Sequence, residues 1–324
     1  MVNLTAGDRF GHHIRFLNDL PRQVNYDGEG QLSEAEMLLL TQKRFTYKQP
    51  FLMSLKTNYE AVEKKYNFTK PKARENAATE TEEWVKTATG DFVVGTVQKE
   101  MFRAETRSSP ISALYTVFKW KNPLTKASGE FSGKQINFLK GTGEYLYKTT
   151  AKYEMLGMEM TDDAATLYIF LPKGDYATFE KDMDGARVLI GEYAGKTTVE
   201  VEIPEVKIFS KYKFNAALQK LGIQKIFTKD AELGDIAEES LSMYASYQAV
   251  GFEVNENGVS GGATGTASLQ AISGSAETPV EKHTEAGNND YEEGKGVTKK
   301  FVANRPFFFA LVRKKIILYA GRYL

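Results

Sequence analysis

Residues 257–300 form a stretch rich in Gly, Ser, Thr, Ala, Glu and Asn that carries almost no large apolar side chain. It lies between an extended apolar run, Tyr244–Val254, and two strongly apolar runs that close the chain, Pro306–Val312 and Ile316–Ala320. A loop far beyond about 15 residues inside a compact protein is functional or disordered. Because both ends are tied to strands, this one is neither a tail nor an interdomain linker. The fold must therefore complete its core with its last two strands while leaving this loop exposed just before them.

The remainder alternates between two periodicities. Ile14, Phe16, Leu17 and Leu20 form a broken helical stripe ending at Pro21. Ser33-Glu34-Ala35-Glu36 predicts the start of a second helix through a weak capping box. Phe51, Leu52, Leu55, Tyr59 and Val62 predict a helix over 50–66, and Glu75 to Lys86 another. From residue 111 the pattern turns to strands. Ile111 to Trp120 is dense in apolar and β-branched residues, and Thr166–Leu171 closed by Pro172-Lys173-Gly174 predicts a buried strand entering a turn. Val199, Val201 and Ile203 alternate along a half-buried strand, and Phe214 to Leu221 predicts a compact helix stopped at Gly222. Lys314-Lys315 predicts a hairpin turn. Helices and strands mix without βα alternation, which predicts an α+β fold in a single domain over residues 1–324.

Composition narrows the function classes. Lys+Arg and Asp+Glu both number 42, so the formal net charge is zero. A nucleic-acid reader or a polybasic membrane-surface protein carries a basic excess, so neither partner is expected. With 42% hydrophobic residues the chain can bury a large core,. The absence of cysteine excludes a disulfide framework, thiolate metal sites and a cysteine nucleophile,. Three histidines, His12, His13 and His283, assemble no metal-ligand set and sit beside no nucleophile elbow, so no metal, cofactor or catalytic residue is expected and the protein is not read as an enzyme. Gly258 to Gly265 lacks the Lys-Ser/Thr of a phosphate loop.

Several segments together resemble the serpin family, in that family's order, over roughly residues 195–324. These are Ile203-Pro204 to Ser210, Phe214 to Ile223 with Ile226-Phe227 and Ala231-Glu232-Leu233, Phe252-Glu253-Val254-Asn255-Glu256-Asn257-Gly258, Phe301-Val302-Ala303-Asn304-Arg305-Pro306-Phe307-Phe308-Phe309, and Leu318 to Arg322. Weaker matches lie upstream at Trp84-Val85 with Thr89-Gly90, at Phe118 to Pro123, and at Phe45 with Pro50-Phe51. The resemblance implies about nine helices around three β-sheets with an exposed reactive loop, here 257–300. It also implies a suicide inhibitor: a serine protease attacks the loop, and the cut loop enters the main sheet as a new strand with the acyl-enzyme still attached.

The same resemblance places a hinge at Glu256, Gly258, Val259, Ser260, Gly261, Gly262, Ala263 and Thr264, and a scissile bond fourteen residues past Gly258, at Ile272–Ser273. From Val259 to Ser268 the segment has no proline, no charge and only small side chains, as insertion into a sheet centre requires. Gly261, Gly262 and Gly265 raise the entropy cost of ordering it, so it is expected to be a poorer strand former than an alanine-rich segment. An aliphatic Ile272 followed by a small Ser273 suits an elastase- or subtilisin-like target. The resemblance implies a monomer, secreted to the extracellular space; the lack of a recognisable signal peptide leaves the cytoplasm open. Three departures count against inhibition, the first two of them favouring a second reading, a non-inhibitory binding, carrier or storage protein, while the third leaves insertion unblocked because both residues are uncharged. Counterparts of the family's first helix, a core strand and most of its second helix are missing. Leu114 and Tyr247-Gln248 stand where the family's sheet-opening residues are expected. Asn257 and Val259 replace the usual acidic residue and threonine.

Overall fold

The computed structural model describes residues 23–29, 31–183, 194–272 and 298–324. The expected helical stripe ending at Pro21, the three histidines and Ser273 lie outside them. Two sheets hold the described chain together. The first contains β1 (Tyr26–Gly28), β2 (Gln31–Gln42), β3 (Val62–Tyr66), β4 (Thr106–Lys119), β10 (Val206–Lys213), β11 (Leu241–Asn255) and β12 (Gly258–Ala271), in the order β1-β2-β4-β12-β11-β10, with β3 paired to β2. The second contains β5 (Thr125–Phe131), β6 (Lys134–Thr149), β7 (Tyr153–Glu159), β8 (Thr166–Pro172), β9 (Gly195–Pro204), β13 (Lys299–Val302), β14 (Phe307–Arg313) and β15 (Ile316–Tyr323). Three sheets were expected; hydrogen bonding joins these strands into one because the long β6 pairs with β5, β7 and β9. The helices α1 (Gln49–Tyr59), α2 (Pro71–Ala88), α3 (Tyr176–Lys181) and α4 (Asn215–Lys220) complete an α+β architecture.

Strand β2 overturns the helix expected from Ser33. Leu38 and Leu40 pack in the cluster under α2, while Leu39 packs with Phe45 and Tyr47 in another. A run buried on both faces is what an interior strand needs, and pairing of Leu38 with Ile111 across β4 outweighs the weak cap,. The helix expected over 50–66 likewise ends at Tyr59. Glu60 adopts φ 51° and its N–H reaches Leu55 O, after which the chain enters β3.

Helix α2 begins with Pro71 in its first turn and buries Ala77, Ala78, Thr81, Val85 and Ala88. Their spacing makes one stripe, which packs against Phe68, Phe102, Leu38 and Ile111,. The segment after the helix folds back over the first sheet. The Glu82 carboxylate anchors it by accepting N–H groups from Gly95, Thr96 (3.1 Å) and Val97 (2.7 Å), and Thr89 Oγ1 accepts the N–H of Val93.

Between the two sheets lies the largest core cluster, where Phe252 stacks on Phe309 with ring centroids 4.9 Å apart and Tyr319 packs on the same ring. The β14–β15 hairpin turns on Lys314 and Lys315, both at positive φ, as a two-residue turn of that hand requires,. Just before it, Arg313 is only 5% exposed. Its guanidinium donates to Val24 O, Asn25 O and Ala164 O and lies 4.6 Å from the Tyr26 ring centre. Burial lowers its pKa from the ordinary arginine value. This group ties the start of the described chain to β14. Arg313→Met is expected to cost about 2–4 kcal/mol, because it leaves three carbonyls without their charged donor. Urea unfolding of the variant beside the wild type measures this.

Candidate functional site

The segment expected at the start of an exposed loop is instead a central strand. β12 runs antiparallel between β11 and β4, with Val259 opposite both Val254 and Phe118 and Ala263 opposite both Val250 and Leu114. Glu256 and Asn257 make the turn from β11. Asn257 O accepts the Trp120 N–H at 3.3 Å, Trp120 Nε1 donates to Asn255 O at 2.8 Å, and Glu256 pairs with Lys126 at 3.3 Å. The expectation of exposure fails from Gly258 to Ala271 because this stretch satisfies its backbone on both sides and carries no side chain too large or too charged for the space.

That space explains the glycines. A Cβ on Gly258 would lie 1.8 Å from Phe118 O. One on Gly262 would meet Thr89 O and Phe92 Cβ at 2.7 Å each, in the segment that Glu82 anchors after α2. Gly251 on β11 lies under the same segment, since its Cβ would fall 2.5 Å from Phe92 O. On the other face Gly261 abuts Gly251 O and the Tyr319 ring. Gly265 is the least crowded of them, its Cβ meeting the Ser112 side chain at 3.3 Å, a contact that a shift of that Oγ by a few tenths of an ångström relieves. The glycines that make this segment a poor strand former by entropy are what the close approach demands. The role of Thr89 and Phe92 escaped the sequence reading; its one signal was a pair of glycines, Gly251 and Gly262, in two adjacent extended runs.

Polar residues of β12 are also fitted. Thr264 Oγ1 donates to Ser112 O at 2.9 Å, and the Ser268 and Ser109 hydroxyls share a hydrogen bond of 2.9 Å. Val259 is fully buried in the intersheet cluster and Leu269 packs in the cluster of Phe45 and Leu241. The strand ends at Ala271; the Ile272 N–H still reaches Ser240 O at 3.1 Å. Leu114 packs against the intersheet core. Tyr247 and Gln248 pair with Thr266 and Gly265 beside a groove of about 310 Å³, lined also by Met37, Ser112, Phe214 and Leu218.

At the opposite end of the long connection, β13 lies parallel to β9, from Lys299 opposite Val199 to Val302 opposite Glu202. Phe301 and Ala303 are fully buried. The Lys300 ammonium sits 2.8 Å from Glu202 and 3.7 Å from Glu200, and Lys140 approaches Glu202 at 3.0 Å. The hydrogen bond from Lys300, then that from Lys140, holds the Glu202 carboxyl below its ordinary pKa of 4.5. A depressed carboxylate contributes stability that is present above its unfolded pKa and lost as pH falls through the folded one. Hydrogen exchange of β13 is therefore expected to accelerate as pH drops below about 4.5, beyond the intrinsic pH dependence, and Glu202→Gln to flatten that extra loss.

Among the described residues no helix is long and apolar enough to cross a membrane. The described residues form an α+β scaffold whose first sheet holds, as a central strand, the segment that leads towards β13. The family model described as serpin (serine protease inhibitor) matches residues 7–324, and the chain belongs to that family. It is 23% identical to neuroserpin of Gallus gallus over 268 residues, 76% of this chain but 65% of the relative, so it spans about two thirds of that protein's length. The solved loop-inserted structure of a cleaved ovalbumin mutant matches with TM-score 0.80 and 18% identity, covering 94% of this chain and 77% of the other. Thyroxine-binding globulin cleaved in its reactive loop matches with TM-score 0.73 and 19% identity, covering 83% and 82%. The family thus includes relatives described as antitrypsin and antichymotrypsin as well as ovalbumin and a thyroxine binder.

Proposed function

We propose that this protein inhibits serine-type endopeptidases by offering its connection as bait and taking Gly258–Ala271 into the first sheet after cleavage at Ile272–Ser273. The single observation that supports this most is the two-sided fit of β12. A fourteen-residue segment without proline or charge pairs with β4 and β11 along its length, and glycine stands where a Cβ has no room. The strand stops one residue before Ile272, so a protease bound covalently at Ile272 would travel the length of the sheet as the segment entered. An aliphatic residue before the bond suits an elastase- or subtilisin-like pocket, and the resemblance favours a monomer acting outside the cell. Incubation of freshly folded protein with such proteases, followed by a denaturing gel, is expected to show a covalent adduct of chain and protease. Clean cleavage with full protease activity remaining contradicts the proposal.

A second reading, a non-inhibitory binding, carrier or storage protein, draws on a specific observation. In the described conformation the Ile272 N–H donates to Ser240 O at the far end of β12, so the residue before the proposed bond is tied to the sheet. Cleavage without adduct, from protein whose connection begins exposed, selects this reading.

A further inference from the structure

We infer that Asn67 is an attachment site for an N-linked oligosaccharide when the chain enters a secretory compartment. The inference rests on the reading of this protein as one that acts outside the cell, and it does not depend on the inhibitor mechanism. Asn67-Phe68-Thr69 has the acceptor pattern, an asparagine followed two residues later by a threonine, with a residue other than proline between them,. Triplets of this kind also arise by chance, so the placement of this one decides. It forms the turn that leads from β3 to α2. A surface turn can carry a bulky, hydrated sugar chain, whereas a ladder or a packed helix face cannot.

The three side chains divide as a modified turn requires. Phe68 is fully buried and stacks on Phe102 with ring centroids 5.6 Å apart. Its N–H donates to Gln42 Oε1 at 3.0 Å, and its carbonyl accepts from Arg74 Nη1 at 2.7 Å. With the middle residue held inward, Thr69 is exposed and Asn67 half-buried. The Lys70 N–H donates to Asn67 O at 2.9 Å and closes the turn. The Thr69 hydroxyl donates to Asn67 Oδ1 at 2.7 Å, while Asn67 Nδ2 makes no hydrogen bond among the described residues. A glycosylated asparagine keeps its carbonyl oxygen and one N–H, so attachment at Nδ2 breaks none of these contacts. The donor is an oligosaccharide carried on a lipid pyrophosphate. Asn67 Nδ2 bonds to the anomeric carbon, and the bond from that carbon to the phosphate oxygen breaks. The lipid pyrophosphate leaves with the electron pair, the proton lost from Nδ2 passes to a base of the transferase, and nothing is oxidised or reduced. Strands β2 and β4 stand between β3 and β12, so the modified turn adjoins the outer strand of the first sheet and takes no part in the ladders of β12.

The test expresses the full chain behind a cleavable signal peptide in a eukaryotic secretory host. Asn3-Leu4-Thr5, outside the described residues, has the same pattern, so Asn3→Gln silences it in every arm. The secreted protein is expected to run one glycan heavier than its enzymatically deglycosylated form. Asn67→Gln and Thr69→Val are each expected to abolish that shift, and Thr69→Ser, which restores the hydroxyl, to keep it. Secretion of the Asn67 chain without a glycan overturns the inference, as does a glycan that persists in Asn67→Gln. Should a variant fail to fold and stay in the cell, peptide mapping of the chain with Asn67 intact decides. Aspartate at position 67 after glycosidase treatment in heavy-oxygen water, carrying the heavy label, supports the inference; unaltered asparagine there overturns it. Because the signal peptide is supplied, the natural compartment is read separately. A glycan present in this arm but absent from protein purified from its natural source counts against the extracellular reading and leaves the site standing; its absence from this arm removes the site.

Discussion

Gly258→Ala is expected to keep the segment out of the sheet, lowering both the melting temperature and the yield of protease adduct. The added Cβ would lie 1.8 Å from a backbone carbonyl oxygen, that of Phe118, and 2.8 Å from its carbon. Backbone cannot swing aside as the tip of a lysine can. Relief would have to come from displacing β4 or from moving the turn, where Trp120 is bonded to both Asn255 and Asn257. Either course breaks the ladder where insertion begins. Overpacking of this severity costs roughly 3 kcal/mol or more, which for a chain of this size is about 4 °C or more in melting temperature. Adduct yield is expected to fall at least tenfold while cleavage by the same protease continues. Gly265→Ala is the control. Its Cβ meets only Ser112 Oγ, at 3.3 Å, and by restricting the unfolded chain it is expected to leave stability unchanged or raise it slightly. Equal behaviour of the two variants, in melting and in adduct formation, would remove the steric account of the hinge.

The contrast between these two glycines shows what the sequence makes legible and what it does not. Absence of proline and charge from Val259 to Ser268 is a local property, visible in the letters, and it marks a segment that a sheet can accept. Which glycine is indispensable depends on Phe118, Thr89 and Phe92, more than a hundred positions away and brought near only by the fold. The same limit explains β2. Its Ser33 and Glu36 read as a helix start because a capping box is local, whereas the pairing of Leu38 with Ile111 is not. The later strands were legible because each carries its own alternation or apolar run: Val199, Val201 and Ile203 are all buried as their spacing implies, and Phe307–Arg313 is nearly continuous core. The segment's location inside the sheet could not be read at all. Small, uncharged residues are compatible with an exposed loop as well as with a central strand, and the pairing with β4 and β11 that the structure shows is made by residues far away in the sequence.

Val259→Arg tests that choice from the apolar side. Val259 is fully buried between the sheets, opposite Phe118 and Val254, in the cluster that holds Phe252, Phe309 and Tyr319. The residues opposite it and around it in that cluster are apolar, so an arginine there would be a charge among hydrocarbon side chains. Leaving a charge uncompensated in such a place costs about 3–5 kcal/mol, comparable to what several strand hydrogen bonds contribute. As the second residue of the strand, Val259 must enter before the rest can follow. The exposed form carries no such penalty, since arginine is at home in water, so attack by a protease should proceed at the wild-type rate. The expected result is therefore a change in partition: covalent adduct nearly absent, cleaved chain and active protease in its place, and fast hydrogen exchange from Val259 to Ala271 in the uncleaved variant. Val259→Thr, close in shape and uncharged, is expected to retain most of the adduct, which separates the effect of charge from that of any change at this position. An arginine variant that traps protease as well as the wild type would mean that the segment does not pass between β4 and β11 when the inhibitor acts.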